Sequence, residues 1–327
     1  TVAINPAAMV ATGKAAVGGV APFANAPLAV AQALALSGLI FYTFPATLLG
    51  GQAALRDDEA GLGPLLHATP LRAGEWVAGK LAGVLLALAA VAAGHVLLLM
   101  AWHATAGSLG ARLATGPTSI AAYALPALLF LGPGIALCAT VGFGFGARTR
   151  SPLAVYAAAS VLFPVGLAGL ASRPPSALDA ALDGFLALAD PWGARWLSRT
   201  VFDVDRGAAW FNAAPVPFDA GFWASRAALG AACAALLVAA VRHCDRIARG
   251  REARPAAGRN ARAITPPPSA APPAAARVAV GARPPGPIVA TLTLARTELA
   301  QLARQPGTWV FAAFHALLVL EHAGATR

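Results

Sequence analysis

The chain has 327 residues, 58% of them hydrophobic and only 12% charged, with a formal net charge of +10. Soluble domains carry about 25% charged residues, so this composition cannot coat a water-soluble globule and indicates a polytopic membrane protein. The positive charge is not that of a nucleic-acid binder, because it is concentrated directly after an apolar span. Arg242, Arg246, Arg249, Arg251, Arg254, Arg259, Arg262, Arg277 and Arg283 stand against only Asp245 and Glu252, as the positive-inside rule expects of a cytoplasmic loop.

Residues 1–27 read as an extracytoplasmic, loop-like segment with Asn5-Pro6 and Gly18-Gly19. They show no initiator Met and no charged leader, so the chain is expected to be cut at its start. A helix needs about 20 apolar residues to cross a core about 30 Å thick, and the first such run is 28–54, uncharged and holding one Pro45. Next comes 56–80, with Arg56, Asp57, Asp58, Glu59, Arg72, Glu75 and Lys80. Each of these charges would cost roughly 2.5–3.5 kcal/mol in the bilayer centre, which places the segment at a membrane face, within reach of soluble partners.

The second run, 81–102, is Leu, Ala and Val with His95 as its one titratable group. The third, 120–146, holds Pro126 and Pro133 and ends in Gly142, Gly144 and Gly146; the fourth is 152–171 and the fifth 221–241. Arg148-Thr149-Arg150 joins the third and fourth runs. Together with 56–80 and 242–287 it puts three connections in the cytoplasm, leaving 103–119 and 172–220 outside. The long 172–220 connection, with more Asp than Arg, is expected to be an external cap containing a helix over Ser176 to Asp190, stopped by Pro191.

Residues 253–287, with Pro266-Pro267-Pro268, Pro272-Pro273 and Pro284-Pro285, form an extended linker rather than a packed unit. Ile288 to Arg304 has apolar residues at 288, 292, 295, 299 and 302, with Arg296, Glu298 and Arg304 off that stripe. It reads as an amphipathic interfacial helix. Thr308 to Leu320 then starts a sixth apolar run too short to cross a membrane.

Chemistry within the chain finds little support. Gly74 to Lys80 has the spacing of a phosphate-binding loop, but Leu81 stands where a hydroxyl is needed, no strand precedes it, and it opens a membrane helix. Cys138, Cys233 and Cys244 lack metal-ligand or disulfide spacing. No acid lies in a span to partner His95, which is expected to be neutral and hydrogen-bonded within the bundle. Ser37 and Ser160 have no base at helical spacing. The expected fold is an all-α transmembrane bundle of about five complete spans, with no enzyme activity and no metal or cofactor of its own.

The run Arg56-Asp57-x-Glu59-x-Gly61-Leu62-Gly63-Pro64-Leu65-Leu66-x-x-Thr69-Pro70-Leu71, followed by Glu75 and by Gly79-Lys80 entering a helix, resembles the permease subunits of type-2 ABC exporters. Leu294-Ala295-Arg296-Thr297-Glu298-Leu299, with Pro306-Gly307-x-Trp309-Val310, resembles the elbow helix and first span with which such permeases begin. On this resemblance residues 28–241 correspond to spans two to six of one permease unit, and 288–327 to the start of a second, as in a tandem form. Asn25-Ala26-Pro27 and Leu188-Ala189-Asp190-Pro191-Trp192-Gly193 also resemble a subgroup fused to a zinc aminopeptidase domain, which this chain does not include.

What the resemblance implies is a multi-pass subunit of the plasma (inner) membrane of a bacterium. A separate ABC ATPase subunit would bind ATP and magnesium, a second permease half would complete the pathway, and lipid rather than nucleic acid would surround it. The docking segment would comprise Arg56, Asp57, Glu59, Gly61, Leu62, Leu65, Leu66, Thr69, Pro70, Leu71, Glu75, Gly79 and Lys80. Arg56, Asp57, Glu59 and Glu75 would form rim charge pairs with the ATPase, Leu62, Leu65, Leu66 and Leu71 would fill a groove on it, and Thr69-Pro70 would end the docking helix. Lys80 is otherwise expected at the level of the lipid headgroups. The spans carry no strongly polar face that would select ions or sugars, which favours lipid-like or peptide cargo.

Overall fold

The computed structural model describes residues 22–60, 71–105, 114–171, 177–202, 206–248 and 286–304, together with Trp309 and Ala313. Among the described residues every regular element is helical, so the expected all-α bundle is what the chain forms. The segment 1–21, the centre of the docking run at 61–70, the linker at 249–285 and the sixth run lie outside the described residues, apart from Trp309 and Ala313.

Helix α1 is continuous through Pro27–Ser37, a π turn Gly38–Tyr42 and Thr43–Glu59. It starts with Pro at its first position, where the missing N–H costs nothing. The π turn directly precedes Pro45, whose ring and lost donor disturb the same stretch. Thr43 Oγ1 reinforces it by donating to the Leu39 carbonyl at 2.7 Å. Helix α2 is Ala73–Thr105. Helix α3 joins Ile120–Pro126, a second π turn Ala127–Leu131 and Gly132–Thr149, again with a proline, Pro133, just after the π turn. It ends at Arg150, a left-handed cap with φ 50°.

Helix α4 is Pro152–Ala171, α5 Ala177–Leu188, α6 Ala194–Thr200, α7 Gly207–Ala213, α8 Ala220–Ala248 and α9 Pro287–Arg304. Four helical stretches, Pro27–Asp57, Ala73–Thr105, Ile120–Thr149 and Ala220–Ile247, are long and apolar enough to cross a membrane, while the described apolar part of α4, Pro152–Leu167, is shorter. Leu86, Leu97, Leu128, Val161 and Val238 point outward, half or more exposed or nearly so. A lipid-facing surface explains such a girdle where a water-facing one does not.

Helices α1 and α3 pack at backbone contact. A Cβ on Gly142 would lie 1.8 Å from the Thr47 carbonyl oxygen, and one on Gly50 would lie 2.0 Å from that of Ala139. Glycine is therefore required there, and small residues four apart are how apolar helices associate without a hydrophobic driving force. Helices α1 and α2 form an antiparallel hairpin. Tyr42 Oη meets His95 Nδ1 at 3.2 Å with the rings parallel, and Asp57 meets Lys80 fifteen residues further along each helix. His95 is thus held inside the bundle, as its lack of an acidic partner predicts.

Candidate functional site

The site grows from the last turn of α1, the first two turns of α2 and the middle of α9. Lys80 Nζ lies 2.6 Å from Asp57 Oδ1 and 3.1 Å from Glu298 Oε2, and Arg56 Nη1 donates to Glu298 Oε1 at 2.6 Å and to Gln301 Oε1 at 3.2 Å. Trp76 Nε1 donates to the second oxygen of Asp57 at 2.9 Å. Lys80 is 5% exposed and Glu298 1%. Two cations and two anions thus cancel in a pocket largely shut off from water, where unpaired charge would be expensive and each pairing is strong.

Glycines admit α9. Leu294 sits over Gly79 and Glu298 over Gly83, both positions where a Cβ would come within 2.5 Å of the neighbouring side chain. Glu75 Oε2 accepts from the Arg72 N–H at 3.0 Å, capping the start of α2.

These contacts revise several expected placements. Arg56 and Asp57 are committed to partners within the chain, and Glu75 spends one oxygen on its exposed cap; Lys80 is buried in the network, not set among headgroups. Glu59 is exposed and Leu71 partly so, while Gly61, Leu62, Leu65, Leu66, Thr69 and Pro70 lie outside the described residues. The buried face of α9 is also rotated from its expected stripe: Ala290, Ala295, Glu298 and Leu302 are buried, whereas Ile288 and Leu292 are exposed. The reason is electrostatic. Glu298 is drawn inward by Lys80 and Arg56, and that turns Ile288 and Leu292 away from the bundle.

A second constellation sits at the other part of α1. Gly38 and Arg56 are separated by 18 positions, about 27 Å of helix. Trp192, 1% exposed, is wedged between Gly38 and Gly134, and its Nε1 donates to Thr43 Oγ1 at 3.1 Å. It therefore seats against the first π turn, at Gly38, and against α3 three residues past the second, at Gly134. Arg226 ties the wedge down, donating to the carbonyls of Asp190 (2.7 Å), Pro191 (3.0 Å) and Leu129 (3.2 Å). Leu129 is the residue whose carbonyl Pro133 cannot serve, so Arg226 supplies a donor that the helix lacks.

Asp190 accepts from the Trp192 N–H at 3.0 Å and the Arg195 N–H at 2.7 Å. Burial pushes its carboxyl above the ordinary range, against the lowering effect of those donors and of the Arg226 charge. Beyond stopping a helix and carrying a resemblance, Asp190-Pro191-Trp192-Gly193 builds a plug, with Trp192 held between the Asp-Pro turn and Gly193 at φ 68°.

Among the described residues no group of three His, Cys, Asp or Glu is placed to hold a metal. Comparison with family models, curated proteins and solved structures finds no match to this chain.

Proposed function

We propose that the chain is the membrane permease part of an ATP-driven exporter, in which residues 56–80 transmit the movement of a separate ATPase subunit to the bundle. The observation that supports this reading most is the rigid root of that segment. The residues before and after 61–70 are fixed to one another by Asp57–Lys80 and to α9 by Glu298, so a force applied to the segment that joins them moves two spans as one body. Arg56 and Asp57 serve this reading as the root of the lever, while Glu59, Leu62, Leu65 and Leu66 remain its contact residues. Transport, in this reading, uses ATP and magnesium held by the partner, and a second permease half completes the pathway.

The test is co-purification of the full chain with an ABC ATPase encoded beside it, with and without Leu65→Asp and Leu66→Asp together. Loss of association in the variant, with its thermal unfolding unchanged, supports the docking segment. Undiminished association rejects it. A wild-type chain that binds no ATPase at all rejects the permease reading in favour of a non-transporting membrane scaffold.

A further inference from the structure

Between helices α1 and α4 lies a cavity of about 370 Å³, lined by Leu48, Gln52, Arg56 and Glu59 of α1 and by Val155 and Tyr156 of α4, among others. This is within the range of small-molecule sites, about 300–1,000 Å³. The α1 residues recur every three or four positions and so share one face. From Leu48 to Glu59 that face runs eleven positions, about 16 Å, and changes character steadily. At the Leu48 end the wall is apolar and continues into Phe44 and Tyr156, whose rings lie 6.4 Å apart and are both partly exposed. At the other end stand a cation and an anion three residues apart.

The charged end is not symmetrical. Arg56 spends Nη1 on Glu298 and Gln301, while Nη2 has no hydrogen-bond partner and is closed to water, so a ligand reaches it only when the Arg56 side chain shifts toward the cavity. Glu59 is exposed and makes no ion pair among the described residues. The cavity therefore suits a molecule that is apolar at one end and carries, at the other, an acceptor for Arg56 beside a donor for Glu59.

We propose that this cavity seats the headgroup of one zwitterionic, primary-amine phospholipid, its acyl chains running out over the exposed surface of α1 and α4. Its phosphate meets Arg56 and Gln52, its ammonium donates to Glu59, and an acyl chain lies along Leu48, Tyr156 and Phe44. Charge-assisted hydrogen bonds at both poles give the selectivity. A choline headgroup has no N–H to donate to Glu59, and a glycerol headgroup brings no cation to it. The site shares Arg56 and Glu59 with the proposed docking segment, but its test requires only that the protein sit in a bilayer and reads lipid, not ATPase, binding.

The experiment reconstitutes the full chain in nanodiscs with equal parts of phosphatidylethanolamine, phosphatidylcholine and phosphatidylglycerol, extracts it in mild detergent, and counts retained lipid by native mass spectrometry. The expected result is one retained phosphatidylethanolamine per chain, enriched about tenfold, the equivalent of about 1.4 kcal/mol. Glu59→Gln should bring its preference over phosphatidylcholine below about twofold, and Leu48→Trp, which fills the apolar end, should lower total retention without changing the headgroup order. Equal retention of the three lipids, a preference for phosphatidylglycerol, or an unchanged preference in Glu59→Gln would each overturn the assignment. Helicity measured on both variants identifies a misfolded one, in which case the other variant decides.

Discussion

Glu298 Oε1 accepts a hydrogen bond from Arg56 Nη1 at 2.6 Å across 242 positions of sequence, and its second oxygen lies 3.1 Å from Lys80. One carboxylate on α9 thus balances two cations on the α1–α2 hairpin. Glu298→Leu should leave Lys80 with Asp57 alone and Arg56 with only the Gln301 amide oxygen, and destabilise the protein by about 3–5 kcal/mol, as removal of one partner from a buried ion pair does. Lys80→Met with Glu298→Leu keeps the cluster neutral but strips Arg56 and Asp57 of their ion-pair partners, so the double variant should lose less than the sum of the two single losses without returning to the wild-type value. Thermal unfolding in detergent of the two single variants and the double variant checks this; additive losses would show that the residues do not act as a pair.

The bundle was legible from composition and run length because apolar runs near twenty residues admit few folds other than spanning helices. The charged root was half legible. Arg56, Asp57, Gly79 and Lys80 stood out as charge and glycine in an apolar chain, but their partner was hidden: Glu298 sits off the apolar stripe of its own helix and is buried only because two cations from distant sequence await it. Periodicity reports what a helix would bury in the absence of partners, and an ion pair overrides it. Trp192 was missed for a related reason, since its pocket is made by the absence of side chains at Gly38 and Gly134, and absent side chains on two separate helices leave no joint pattern in sequence.

Glycine requirements separate cleanly by environment. Gly142→Ala must push a methyl group into the Thr47 backbone, which cannot move without parting α1 from α3, so a loss of about 1–3 kcal/mol or more is expected. Gly94 in α2 has nothing within 4 Å of where a Cβ would stand, and Gly94→Ala should gain about 0.5–1 kcal/mol from the lower entropy of the unfolded chain. Paired melting curves on these two variants read opposite signs if the packing is as described.

Trp192→Ala should cost about 3–5 kcal/mol, the usual loss for a large buried aromatic. Trp192→Phe keeps a ring between Gly38 and Gly134 and forfeits the bond to Thr43, for about 0.5–1.5 kcal/mol. Hydrogen exchange should show faster opening at Gly38–Tyr42 and around Gly134 in the Ala variant, because the same side chain packs on both.

Asp190 gives a pH dependence of definite sign. Its carboxyl is raised in the folded protein, so protons bind the folded state more readily than the unfolded one. Its contribution is therefore fully present below the unfolded value and is lost as pH rises through the folded value. Asp190→Asn removes this titration. The melting temperature of the wild type, measured relative to that variant, should rise as pH falls from about 8 to about 4, the region between neutrality and an ordinary carboxyl. A relative fall would mean that the N–H donors and Arg226 outweigh burial.

Arg226 reaches three carbonyls with one planar group, and a lysine cannot. Its Nη1 and Nη2 serve Leu129 and Pro191 on one side and Asp190 on the other, whereas an ammonium is a single point on a flexible stem. Arg226→Lys should leave at least one buried carbonyl unmet, at a cost of about 1–3 kcal/mol, and should loosen residues 188–193 in hydrogen exchange while leaving the Asp57–Lys80 end unchanged. The two ends meet α1 about 27 Å apart and share no side chain. Combining Arg226→Lys with Glu298→Gln should therefore give losses that add to within about 0.5 kcal/mol. A larger departure in the double variant would mean that α1 carries strain from the plug to the charged root even at rest, and would make that helix the transmitting element between the two ends.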